Sequence, residues 1–387
     1  MTAAASAGRT GPLHGLKVVE LAAIGPVPFA CMLFADLGAE VVRVERADGK
    51  RSFAEWHREL DRGRHVLALD LKDPAGTEEL LRLVDGADVL VEGFRPQVAE
   101  RLGIGPGPCL RRNPRLVYAR MTGWGQDGPL ALTPGHDINY LALTGALYAT
   151  GEAGGPPVAP VNLLGDFGGG ALYLVAGVLA ALHERGRSGR GQIVDASIVD
   201  GVNSLLGMVV AMADAGRWRH ERGTNLLDGG APFYTCYACA DGGHVAVGAL
   251  EDRFYTAFLD GLGLDPVLLP DRSDPVNWPA LRRAFADRFL RHDRDTWARR
   301  FEDTEACVTP VLRLDEAADH PHQRARGSAP AAPAPRFSRT PALRHETVAP
   351  AAAHPEAARP TAADPAPADT GRSHPAQPRR SDPRPRP

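Results

Sequence analysis

The chain has 387 residues, enough for two domains or one large one with a substantial core. A hydrophobic share of 44% and a charged share of 24% are those of an ordinary globular protein, and a net charge of -3 argues against a general binder of nucleic acid. Five cysteines, at 31, 109, 236, 239 and 307, form no repeating framework, which points to a reducing, cytoplasmic setting.

The amino-terminal stretch MTAAASAGRTGPLHG lacks the apolar core of a signal peptide. The most apolar run, 171–182, reads as too short to span a bilayer, so no membrane insertion is expected. Residues 16–21 (LKVVEL) read as a buried strand, followed by Ile24-Gly25-Pro26 and a helix over 29–37 that Gly38 ends. Residues 40–45 (EVVRVE) form the next strand, and a strand–helix–strand unit implies a parallel sheet covered by helices. A second unit follows, with a strand at 67–71 and Asp73-Pro74 as cap and first-turn proline of a helix to 84. Strands at 89–92 and 116–121 come next, then a helix over 171–185, a GRSGRGQ turn, and a segment 193–213 that starts as strand and runs on as one long helix. From Arg222 the character changes to short strands and turns, with helices over 251–262 and 278–291.

The predicted fold class is therefore α/β. A doubly wound, Rossmann-like large domain covers 10–205, a linker helix 206–222, and a smaller α+β domain 223–305. Residues 306–340 are expected to return to the large domain. Prolines crowd the segment 341–387 and no aromatic follows Phe337, so a disordered tail is expected there.

Several residues invite chemistry. The first loop, AAIGPVP, lacks the G-x-G-x-x-G fingerprint, and Pro26 removes an amide that would face a phosphate, so no nicotinamide cofactor is expected despite Glu45 at the next strand end. Cys236-Tyr-Ala-Cys239 has the spacing of a metal or redox pair, but no second pair sits at a zinc distance and no helix start lowers the thiol pKa. Asp166 lies among glycines at the expected start of the 171–185 helix, where free amides and the helix dipole favour negative charge. It reads equally as a reactive carboxylate and as an N-cap over a tight turn. His136, in a loop entering a helix, reads on its own as a capping or other polar residue, and Glu251 as a first-turn acid. Arg46 suits a phosphorylated adenine nucleotide or a solvated strand end.

Taken together, LKVVELAAIGP, DLGAEVVRVER, LDLKDPAG, VLVEGFRP with ERLG, RMTGWGQDGP, PGHDINYLALTG, NLLGDFGGGALYLV, GQIVDASIVDG, LDGGAPFY, HVAVGALE and ACVTPVL resemble the family III CoA-transferase superfamily (CaiB/BaiF-like), and within it the α-methylacyl-CoA racemases. The resemblance spans roughly residues 13–327 in one order. The histidine in GHDINY separates the racemases from the transferases. The resemblance implies His136 and Asp166 as the catalytic groups, with Glu251 as partner of the histidine. It implies CoA contacts at Arg46, Leu69, Asp70, Leu71, Lys72, Gly93, Phe94, Arg95, Arg101, Gly135, Asp137, Ile138, Asn139 and Tyr140. It further implies an interlocked homodimer in which Glu251 reaches the other subunit's His136, an acyl-CoA substrate in lipid metabolism, and no metal or separate cofactor.

The chemistry is coherent. Inverting a centre beside a carbonyl needs a proton removed from one face and returned to the other by two groups that alternate as acid and base. The alternative is a CoA-transferase in which Asp166 attacks the thioester as nucleophile. An inactive CoA-binding protein is a third reading, prompted by the closing segment, which departs from the family's last helix through divergence or a change of reading frame. The acyl chain leaves no motif.

Overall fold

The computed structural model describes residues 11–50, 56–328 and 331–345. Six strands, β1 (Lys17–Leu21), β2 (Glu40–Arg46), β3 (Arg64–Leu69), β4 (Val89–Glu92), β5 (Val117–Thr122) and β6 (Ile193–Ser197), form one sheet in the order β3-β2-β1-β4-β5-β6. Every pair is parallel. This is the doubly wound order, whose direction of winding reverses between β1 and β4 and opens a crevice at the carboxyl ends of those strands.

The apolar runs fit because both faces are covered. Val18 of β1 and Val89 and Val91 of β4 join one core with Val27, Cys31 and Phe34 of the first helix, α1 (Pro26–Asp36). Val19, Leu21 and Leu90 point the other way, into a core with Leu80 and Val84 of α2 (Pro74–Asp85). The α2 cap is the predicted one: the Asp73 carboxylate accepts the Ala75 amide at 3.1 Å, with Pro74 in the first turn. Two short helices, α3 (Val98–Arg101) and α4 (Pro106–Arg112), follow β4, and α5 (Asp137–Thr144) and α6 (Ala146–Ala149) follow β5.

Several boundaries differ from the expected ones. The first helix begins at Pro26 rather than 29, because Gly25, at φ 69°, turns the chain straight into a proline-led first turn. β3 begins at Arg64 rather than 67. Helical structure extends from Val161 to Ser188 with a kink at Asn162: a short 3-10 turn, a π-helical segment (Leu164–Ala171) and α7 (Leu172–Ser188). These 28 residues are long and apolar enough to cross a bilayer, in contrast to the shorter run read from sequence. In this fold Leu174, Val178 and Ala181 pack into the sheet's core. Nor is 193–213 one strand and one helix, since the helical part breaks at Leu206 into α8 (Ile198–Leu205) and α9 (Gly207–Asp214).

A buried charged cluster was not foreseen. Arg64 binds Glu20 of β1 at 3.0 Å and donates to the carbonyls of Pro28 and Leu60, while Arg62 grips Asp36 with both ends of its guanidinium, at 2.9 and 2.6 Å. Each buried charge here has an opposite partner, which burial demands.

The later segment builds an antiparallel sheet, β7 (Tyr234–Ala238), β8 (His244–Gly248) and β9 (Val308–Val311), in that order. Phe258, Leu259 and Leu262 of α10 (Asp252–Leu262), Leu281, Phe285 and Phe289 of α11 (Trp278–Phe289), and Trp297 and Phe301 of α12 (Arg294–Phe301) make its core. Residues 308–311, expected to start the return to the first sheet, instead pair with β8. Pro310 is tolerated because β9 is an edge strand. Contact with the first sheet's layer comes later: the Leu343 amide donates to the Asp36 carbonyl at 2.7 Å and the His345 ring lies 3.0 Å from the Ala35 carbonyl. Packing thus continues past 340, where the tail was expected to begin, and the rest of that expected tail, 346–387, lies outside the described residues.

Candidate active site

The segments that follow the carboxyl ends of β4 and β5, α3 and the start of α5 included, carry ten of the seventeen expected site residues. Gly25 follows β1, Gly93–Arg95 follow β4, and the loop after β5 leads to Gly135 and His136. Arg46 and Leu69 are the last residues of β2 and β3 and stand opposite each other in register.

His136 is the residue before α5. Its backbone N–H donates to the Asn139 side chain at 3.0 Å, closing the helix start, and its own side chain is exposed. Tyr140, one turn on, is buried edge-on against Trp124 at 4.7 Å and donates its hydroxyl to the Gly135 carbonyl. Gly135 and Gly123 admit that ring only because they lack a side chain: a Cβ on Gly123 would lie 2.0 Å from it. The His136 loop is therefore fixed from below.

Asp166 sits in the first turn of the π-helical segment. Such segments shift the backbone register by one residue and recur at functional sites. The carboxylate does not cap its own helix. Its Oδ2 accepts from Asn162 at 3.3 Å and would be only 3.0 Å from a Cβ on Gly25. The amide of Asp166 donates instead to Oδ1 of Asp137, at 2.7 Å, and the Gly165 amide bonds the same carboxylate. The free amides expected to favour an anion at Asp166 are thus consumed by a different acid.

That exchange sets the electrostatics. Asp166 is pushed up to about 6, first by burial, then by the charge of Asp137, against the lowering effects of the Asn162 amide and of His136. His136 and Asp166 are thus near enough to feel each other. Asp137 is itself raised by burial, with its two backbone hydrogen bonds acting the other way.

A stability consequence follows. An aspartate in an unfolded chain ionises near 3.9, roughly, whereas the folded site resists until about 6. Ionisation therefore penalises the fold progressively between those values and fully above 6. Asp166→Asn should melt above the unsubstituted chain at pH 7.5, with the difference shrinking toward zero as the pH falls to about 4. Equal melting temperatures at both ends of the range would show that Asp166 ionises freely.

The remaining expected contacts are dispersed along the same edge. Arg46 is exposed and grips Asp48 with both ends of its guanidinium, at 3.0 and 2.6 Å, with Asp70 nearby. The Asp70 carboxylate holds the Lys72 amide at 3.0 Å, turning the chain after Leu69 and Leu71. The buried Glu92 holds the Phe94 amide at 2.7 Å and Arg120 at 2.9 Å, which shapes the Gly93–Arg95 turn. Arg95 is exposed and acts on Tyr140, and Arg101 ends α3, also exposed. Ile138 of α5 is exposed as well. Glu251 is the exception. It precedes α10, exposed, with its charge acting on Cys307, and within one chain it is not brought to His136. A cleft of about 1350 Å³ over the open face of β7 and β8, lined by Cys236, Ala246, Trp278 and Cys307, holds none of the expected site residues.

Sequence reasoning missed Asn162, Gly25 and the Glu92–Arg120 pair. Asn162 was the one within local reach, because it lies only four residues before Asp166, at the kink that opens the helical segment. The others depend on contacts between distant segments.

The family model for CoA-transferase family III matches residues 13–370, further than the 327 reached by the motifs. A mouse protein, alpha-methylacyl-CoA racemase (Mus musculus), is 47% identical over 339 residues, which cover 86% of this chain and 88% of the relative. The human protein of the same name (Homo sapiens) is 44% identical over the same shares. An acetyl-CoA:oxalate CoA-transferase from Acetobacter aceti is 31% identical, over 84% of this chain and 87% of the relative. Among solved structures, a CAIB/BAIF family protein from Brucella suis superposes with a TM-score of 0.74 at 26% identity, covering 86% of this chain and 94% of that one. With the sheet order, the motif set and a match over most of its length all in agreement, the chain belongs to CoA-transferase family III.

Proposed function

We propose that the chain is an α-methylacyl-CoA racemase, inverting the α-carbon of 2-methylacyl-CoA thioesters with His136 and Asp166 as opposed proton-transfer groups. The observation that carries this is the hydrogen bond that ties the Asp166 amide to Asp137, the residue after His136, which sets the two groups at one site with the Asp166 carboxyl pushed up by burial to about 6. An imidazole ordinarily titrates near 6.5, roughly, and an aspartate near 3.9. A two-base racemase works in both directions only if each group can both take and give the proton, so an ordinary aspartate opposite an imidazole would be mismatched. Raising Asp166 narrows that gap. A nucleophilic carboxylate for CoA transfer gains less, because it must be ionised to attack. The two racemases at 47% and 44% identity support the same choice over the transferase at 31%.

The thioester's α-proton is removed by one group, the enolate is held by donors at the carboxyl edge of the sheet, and the second group returns a proton to the opposite face. Arg46, Arg95 and Arg101 suit the phosphates of CoA. In this reading the protein acts as a homodimer, needs no separate cofactor, and Glu251 of the partner subunit stabilises the imidazolium of His136. An apolar face supports the dimer: α9 buries none of its residues within the chain, and Leu172, Leu205, Met208 and Val210 are exposed together with it.

A single enantiomer of a 2-methylacyl-CoA should lose its optical purity with no acceptor acid present. If optical purity holds while CoA moves to an added carboxylic acid, the transferase reading replaces this one.

A further inference from the structure

We infer that Asp137 is the positioning residue for Asp166, holding the Gly165–Asp166 turn and with it the place from which the Asp166 carboxylate meets substrate. The inference rests on the racemase reading above, and it replaces a contact with CoA as the role of the Asp137 side chain.

The geometry has three parts. The Asp137 carboxylate accepts the amides of both Gly165 and Asp166, the latter at 2.7 Å. These are orphan donors at a helix start that would otherwise be left to water or a ligand. The carboxylate packs directly against Gly165, where a Cβ would sit 2.2 Å from Asp137 Oδ1 and push it off the turn. The third part is covalent, since Asp137 directly follows His136. One short backbone segment therefore carries one proton-transfer group and the clamp that sets the other. The separation of the two depends on one peptide unit and one pair of hydrogen bonds.

The groups acting on Asp166 are few. His136, Asp137 and Tyr140 face it from the α5 side, and Asn162 from the preceding turn. From the α1 side the neighbour is the backbone of Gly25, and α1 has no acid in its first turn. On α8, which packs along the π-helical segment, Asp200 is tied to Ser197. Asp137 thus supplies the negative charge that acts on Asp166 most strongly.

Asp137→Asn keeps an acceptor oxygen and loses the charge, whereas Asp137→Ala loses both. In the full chain, with 2-methylacyl-CoA as probe, Asp137→Asn should lower kcat for α-proton exchange about tenfold and Asp137→Ala about a hundredfold, as expected for a reacting group displaced by an ångström. Affinity for CoA by calorimetry should stay within about twofold, because the Asp137 carboxylate is taken up by the Gly165 and Asp166 amides. The titration midpoint of Asp166, followed by ¹³C carboxyl NMR and assigned with Asp166→Asn, should fall below about 6 in Asp137→Asn. Weakened CoA binding with unchanged kcat would make Asp137 a ligand contact and overturn the inference. So would an unmoved Asp166 midpoint in Asp137→Asn, whatever happens to the melting temperature. The NMR midpoint needs no turnover. Absence of exchange in the unsubstituted chain would therefore sink the racemase reading alone, leaving the clamp to be judged on its own measurement.

Discussion

Asp166→Asn should lower interconversion of the two enantiomers of a 2-methylacyl-CoA about 10³-fold, within the range that a general acid–base group contributes. An amide neither takes nor gives the proton, yet it keeps the shape of the side chain and can still meet Asn162 and the Gly25 backbone. The loss should be one-sided in a way that a damaged fold cannot imitate. The enantiomer whose α-proton faces His136 can still surrender it there and take it back from the same side, so it should still exchange with solvent while not inverting. His136→Ala should give the mirror image, with exchange retained only for the enantiomer that faces Asp166. Side-by-side proton NMR of both enantiomers with both variants reads this directly. Exchange from both enantiomers in either variant would mean that the altered residue is not one of the two bases.

Gly201→Ala is expected to cost more stability than any change at the site itself. Gly201 of α8 lies against the backbone of the π-helical segment, and a Cβ there would sit 1.8 Å from the Gly169 carbonyl oxygen. The contact is reciprocal, for a Cβ on Gly169 would lie 2.9 Å from the Val202 nitrogen. Backbone cannot swing aside as a flexible side chain can, so the two elements must separate. A cost of about 3 kcal/mol follows from overpacking of this kind, and a fall in melting temperature of roughly 5 °C. Because Gly169 is in the same π-helical segment as Asp166, exchange activity should fall as well. An unchanged melting temperature would show that the close approach of α8 is not what holds this segment.

The parts of this fold that sequence made legible are those written locally. Alternating apolar strands, the Asp73-Pro74 start of α2 and the change of character after Arg222 all depend on neighbours within a few residues. Position 166 stood out because its carboxylate is set among glycines. What stayed hidden depends on long separations. Arg64 finds Glu20 across 44 residues, and Asp166 finds Asp137 across 29. No periodicity encodes such pairs. The partner of residues 308–311 stayed hidden for the same reason, since β8 lies some sixty residues earlier and only the sheet order shows β9 as its edge neighbour. The break at Leu206 went unread although Gly207, a poor helix former, stands right after it, because the apolar run continues on both sides. Asp137 is the instructive residue for the site. Resemblance placed it among CoA contacts, and the fold turns its carboxylate toward the Asp166 turn.

The central claim is that this chain breaks the bond between the α-carbon and its hydrogen. A transferase attacks the carbonyl carbon and leaves that bond intact. The most direct measurement is therefore proton NMR of the α-position in heavy water, with one enantiomer of a 2-methylacyl-CoA, the full-length chain and no acceptor acid. The racemase reading predicts that the α-proton signal disappears as deuterium enters and that the opposite enantiomer accumulates, the accumulation depending on both His136 and Asp166. An α-proton signal that stays at full intensity, while CoA passes to a carboxylic acid once one is added, would contradict it.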